Sequence, residues 1–172
     1  MLGQPIHVPG ASIRMGTTTA LRREIKRVFV PVASARGFSA DLRDAPAFLG
    51  FRRTVGATVQ LFDLQWDKDG DARFVVNVGS CPASGLVLPD RVVPPDAVVA
   101  SWTANAARLQ PRSGATTASW FRQDKPLPER LLAREKFHDA SEVVAQLVAL
   151  FPEVEAYLAD GRVGPHLHVL PR

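Results

Sequence analysis

The stretch Asp67-Lys68-Asp69-Gly70-Asp71 sets three aspartates at alternate positions, a spacing that suggests oxygen ligands for a calcium ion. A calcium-binding helix–loop–helix site takes ligands at loop positions 1, 3, 5, 7, 9 and 12, with Gly at 6 and Glu at 12. Counted from Asp67, the glycine falls at position 4 and position 12 is Val78. The flanks, ATVQLFDLQW and ARFVVNVGS, alternate and carry β-branched and aromatic residues, as strands do. The aspartates therefore belong to a hairpin turn, and neither a metal nor a cofactor is implied. The expected loop is Lys68-Asp69-Gly70, with Gly70 in the left-handed conformation.

That loop places Asp67 opposite Asp71, Leu64 opposite Phe74, Phe62 opposite Val76 and Gln60 opposite Val78. Phe62, Leu64, Trp66, Phe74, Val76 and Val78 then share one apolar face, and a slip by one residue would mix them with polar neighbours. The other face carries Asp63, Gln65, Arg73 and Asn77. Gln65 faces Arg73, and Asp63 lies diagonally within its reach. With Arg108, these form the candidate ligand-binding group. The competing reading is a solvated face whose ion pair contributes at most about 1 kcal/mol. As ligand-contacting surface groups, Gln65 and Asn77 should be replaceable by Ala without large loss of stability.

Other chemistry is sparse. The single cysteine, Cys81, has no local signature joining it to His7, His138, His166 or His168 as a base. His166-Leu-His168 puts two imidazoles on one strand face but lacks a second ligand cluster. Fingerprints for dinucleotides, phosphate loops, zinc proteases and serine hydrolases are absent from the chain. Arg22, Arg23, Lys26 and Arg27 on the first helix could grip phosphates, with Trp66, Trp102 and Trp120 stacking bases. That alternative requires the basic stripe and the tryptophans to share a surface, whereas Trp66 sides with the apolar face. A non-enzymatic binding or protein-interaction module, with a protein or small-ligand partner, is the leading expectation; an enzyme of unidentified type is a third.

The chain that must position these groups has 172 residues, 46% of them hydrophobic and 22% charged. That length is one ordinary domain, able to bury roughly 70% of its unfolded surface. No run approaches the roughly 18 apolar residues of a membrane span, and the single cysteine suits a reducing, cytoplasmic setting. Residues 1–56 carry nine Lys/Arg and three Asp/Glu, a net of +6, and the remainder nets −2. Either the excess marks a surface for an anionic partner, or the two parts complement each other on folding.

A flexible leader (1–16) precedes a helix starting at Thr17–Thr19, with Leu21, Ile25, Val28, Phe29 and Val32 on its apolar face. Pro31 should kink it, and Gly37 stops it. Residues 39–46 read as a loop. Strands are expected over 47–54, 57–66, 72–80 and 116–123, and prolines after Cys81 argue against long regular structure. Residues 97–110 read as an Ala-rich helix capped by Asp96, or as a strand. A short helix follows Pro128. Asp139-Ala-Ser-Glu142 has capping-box spacing before Val143, Val144, Leu147, Val148 and Phe151, and Pro152 should interrupt that helix. Gly161 ends the single α+β domain (17–161), leaving 162–172 as tail. The expected architecture is an antiparallel sheet of four or five strands with the N- and C-terminal helices on one face.

Several residues in this order carry a resemblance. The helix ends in ARGF, Asp63-Leu64-Gln65 lies in the strand pair, and FVVNVG spans 74–79. Arg108-Leu109, Trp120 and a C-terminal helix containing a proline follow. Over roughly residues 18–158 the chain resembles the uncharacterised bacterial family called domain of unknown function 4304. Gln65 and the Phe-Val-Val-Asn-Val-Gly run are the most specific pieces. Members commonly have Asn where this chain has Asp63, and often a cysteine near Ser101 and Trp102. The resemblance implies a fold and brings no reaction with it.

Overall fold

In the computed structural model, residues 18–41, 47–114, 119–125 and 138–171 are described. The leader at 1–16 and the short helix expected after Pro128 lie outside them. The long alternating run forms three consecutive strands: β2 (Phe48–Val55), β3 (Thr58–Trp66) and β4 (Arg73–Pro82). Gly56, at φ +58°, supplies the tight turn between β2 and β3. β1 (Ser39–Asp41) adds to β2, in a stretch that reads locally as loop. Among the described residues, β7 (Ala107–Leu109), β8 (Phe121–Arg122) and β9 (Leu167–Val169) bring the antiparallel sheet to seven strands in the order β1-β2-β3-β4-β7-β9, with β8 also on β4. The class is the expected α+β and the sheet is larger. β9 comes from the stretch read as tail, because three residues are too few to show a period.

Among the described residues, one helix (α1) runs over residues 18–35 and a second (α2) spans Ala140–Asp160. Pro31 leaves α1 unbroken but distorts it locally. The turn before it widens into a π-turn at Ile25–Phe29, and the Val30 N–H bonds the Ile25 carbonyl. The extra residue relieves the crowding that proline imposes on the preceding turn. Pro152 likewise leaves α2 continuous. It removes a single hydrogen bond, while Phe151, Val154, Tyr157 and Leu158 anchor the helix on both sides of it. The capping box at Asp139 and Glu142 and the left-handed Gly161 close α2 as the residue types require.

Both helices pack on one sheet face. Leu21, Ile25, Phe29, Leu147 and Phe151 meet Phe62, Leu64, Trp66, Phe74, Val76 and Val78 in a single buried cluster, as the periodicities require. The chain's charge asymmetry is partly matched across this layer. Arg36 and Arg53 both pair with Glu155 of α2, and Gln60 donates to the Leu158 carbonyl at 2.6 Å.

The opposite face is covered too. Residues 83–106 form a short hairpin, β5 (Leu86–Val87) with β6 (Val92–Val93), and then a strap with a 3-10 turn at Ala100–Trp102. Residues 97–110 are thus neither one helix nor one strand: the strap and its turn lead into β7. Val93, Val98 and Ala100 pack on Val59, Leu61 and Cys81 as a second, smaller core.

Gly79 makes this close approach possible. A Cβ there would collide with the Thr103 hydroxyl and lie 3.0 Å from the Ala100 carbonyl oxygen. Thr103 is pinned by its own bond to that carbonyl at 2.8 Å. Gly79→Ala is expected to cost about 2–3 kcal/mol, as overpacking of a well-filled contact does. Thermal unfolding checks it: Thr103→Ala in the same background should restore part of the loss, and a Gly79→Ala protein as stable as the wild type would contradict the packing account.

Candidate functional site

The hairpin register differs from the expected one by two residues. Trp66 pairs with Phe74, Leu64 with Val76, Asp63 with Asn77 and Gln65 with Val75. The loop is longer than three residues because the Asp67 N–H closes it on the Arg73 carbonyl. The Asp67 carboxylate accepts the N–H groups of Asp69 at 3.1 Å and Asp71 at 3.4 Å, and pairs with Arg73 at 3.0 Å. Gly70 takes the left-handed conformation as expected, at φ +79°. The aspartate engages the turn's own backbone, and among the described residues no metal-holding cluster occurs. An even shift keeps every side chain on its face, so the apolar set survives while the polar pairings change.

Arg73 consequently leaves the candidate group: it pairs with Asp67 and Asp71 at the hairpin end and lies over the Trp120 ring at 5.2 Å. The other four candidates converge. Successive strand pairings place Asp41, Gly50, Asp63, Asn77, Arg108 and His168 in one row across the sheet. Asn77 donates to Asp63 Oδ1 at 2.8 Å and to Gln65 Oε1 at 3.0 Å, and Arg108 Nε donates to Asn77 Oδ1 at 3.1 Å. The second Asp63 oxygen accepts the Ala100 N–H of the strap at 2.9 Å.

This group is not on a solvated surface. Asp63 is 5% exposed and Asn77 0%. Burial pushes the Asp63 carboxyl above the ordinary aspartate range. The bonds from Asn77 and Ala100 and the charges of Arg52 and Arg108 oppose the rise. Burial also draws the Arg108 guanidinium down, against the pull of Asp63.

Beside this row lies a cleft of about 210 Å³ between β1–β2 and the strap, lined by Asp63, Arg52, Gly50 and Phe48 among others. Arg52 donates through Nε to the Pro95 carbonyl at 3.0 Å and through Nη2 to Val98 at 2.7 Å, clamping the strap. Sequence reasoning missed Arg52 and Gly50. The available signal was a glycine in a strand interior, which weakens a strand and often marks a close approach. Here Arg52 Nη1 lies 3.0 Å from where a Gly50 Cβ would be.

Arg22 covers the ring of buried Trp66 at 4.1 Å, and Arg27 pairs with Glu24. Exposed Arg23 and Lys26 lie on α1, against the inner face, whereas Trp102 lies in the strap on the outer face. Trp66 is thus buried beneath Arg22, and Trp102 lies across the sheet from α1. His166 is held by Glu153, which accepts its N–H at 2.9 Å and contacts Nδ1 at 2.6 Å. Cys81 is buried, and burial pushes its thiol up, away from the reactive thiolate. No helix among the described residues is long and apolar enough to cross a membrane. No family model, curated protein or solved structure matches this chain.

Proposed function

We propose that this protein is a non-enzymatic binding module whose small-ligand seat is the cleft beside Asp63. The observation that carries the proposal is a carboxylate, 5% exposed, that lines a cleft of about 210 Å³. Asp41, Arg52 and Asp96 line it as well, and clefts that set fixed polar groups beside apolar surface are the usual places for ligands. The volume is below that of a drug-sized pocket and suits a small metabolite. Asn77 bonds Asp63 directly, and Gln65 and Arg108 in turn bond Asn77. The relationship to domain of unknown function 4304 and a cytoplasmic setting belong to the same proposal, supported by Gln65 with the 74–79 run and by the lone cysteine.

A thermal-shift panel of metabolites, nucleotides, oligonucleotides and divalent metals tests this function. A ligand at 100 times its dissociation constant stabilises by about 2.7 kcal/mol, and the responding compound should be a small organic molecule. A response confined to oligonucleotides, or silence across the panel, would overturn the small-ligand reading.

A further inference from the structure

We infer that the cleft accepts a small aliphatic α-amino acid, held by its two opposite charges; this rests on the cleft being the ligand seat. Arg52 supplies the first charge. Two of its nitrogens are committed to strap carbonyls, Nε to Pro95 at 3.0 Å and Nη2 to Val98 at 2.7 Å. These bonds fix the plane of the guanidinium. Nη1 is the remaining nitrogen, and its carboxylate neighbour, Asp41 Oδ2, stands at 4.0 Å, beyond hydrogen-bond length. It lies over Gly50, in a position that any larger residue would crowd. A guanidinium nitrogen fixed in this way is suited to donating to a carboxylate.

Asp63 supplies the opposite charge. It is the cross-strand partner of Gly50, and the side-chain roots of such partners lie about 5 Å apart. Nη1 and Asp63 therefore lie within the span of one small molecule. Each Asp63 oxygen accepts one N–H, from Asn77 or Ala100, and a carboxylate oxygen can accept a second. An ammonium group there would also offset the burial of the carboxylate. The rest of the wall carries Asp41 and Asp96 beside the apolar Phe48, Ala97, Val98 and Val99. A donor for a carboxylate, an acceptor for an ammonium and a wall that is apolar over most of its area, in about 210 Å³, together match the three parts of an aliphatic amino acid.

The test is a titration of the full ¹⁵N-labelled chain with L-valine, and with its two half-molecules, isobutylamine and isovalerate. L-Alanine and L-leucine bracket the side-chain size. The expected result is movement of the Gly50, Val98 and Ala100 amides, with at least one of the three amino acids binding tenfold or more tightly than either half-molecule. In Gly50→Ala the new methyl displaces Nη1, and amino-acid affinity should fall at least tenfold while the melting temperature changes little. Equal binding of isobutylamine or isovalerate at the same amides would overturn the amino-acid inference and leave the cleft as a seat for one charge. A ligand from the thermal panel that moves only distant amides would remove the cleft reading itself, and this inference with it. Saturating amino acid with no amide shifts, while another small molecule moves the cleft amides, would overturn the inference alone.

Discussion

Replacing Asn77 with Ala is expected to destabilise the protein by about 3 kcal/mol, since hydrogen bonds to charged groups are worth about 1.5–3 kcal/mol and buried partners lose their compensation. Asn77 is wholly buried and makes three bonds, two as donor to Asp63 and Gln65 and one as acceptor from Arg108. The truncation leaves a carboxylate and a guanidinium facing an empty site. Gln65, half-buried and tied here by one bond, should cost less than 1 kcal/mol when cut to Ala, close to a surface substitution. The structure thus separates two residues that look equally dispensable in the sequence.

The loss at Asn77 should also depend on pH. Burial raises the Asp63 carboxyl in the folded state, and the Asn77 bond opposes that rise. A raised acid holds its proton more tightly when folded, so its contribution to stability is fully present below the unfolded pKa. It is lost as pH rises through the folded value. Removing Asn77 raises the folded value further and enlarges that loss. Urea unfolding of Asn77→Ala should therefore show a larger deficit at pH 7 than near pH 4, on the order of the ordinary aspartate value. A deficit independent of pH would assign Asn77 to packing and sink the charge-network account.

Phe62→Ala should be more damaging still, by about 3–5 kcal/mol, the range for removing a buried aromatic. Phe62 sits at the centre of the inner layer. Its ring stacks on Phe51 at 4.5 Å and meets Phe38 at 4.9 Å, Phe151 at 5.2 Å and Phe29 at 5.9 Å edge-on. Those partners come from β2, α2, α1 and the loop after α1, so one truncation loosens both helices against the sheet. With about 5–15 kcal/mol as the usual total for a domain, the variant should lie near the edge of folding. Phe62→Leu, which retains most of the volume, should lose less than half as much. Denaturant midpoints at an unchanged slope would verify both values; a loss under about 1 kcal/mol for Phe62→Ala would refute the central role.

The amino-acid sequence by itself determined the two faces of the sheet, the faces of both helices, the capping box at Asp139, the left-handed Gly70 and the stop at Gly161. These features have local causes: a period of two, a period near 3.6, and residue types at fixed offsets. The face assignment even survived a wrong register, because a shift of two residues leaves alternation intact. Tertiary structure alone decided that Asp63 pairs with Asn77, that Arg73 turns to the hairpin end, and that β9 joins the sheet. It also decided that α2 passes through Pro152, whose lost bond is outweighed by packing on either side. Above all, it decided that residues 83–106 cover the outer face. That segment has no period to read. Its place is set by Arg52 reaching Pro95 and Val98, by Asp63 reaching Ala100, and by the space that Gly79 leaves for Thr103. Each contact joins residues far apart in the chain, so the cleft they enclose exists only once the layers have met.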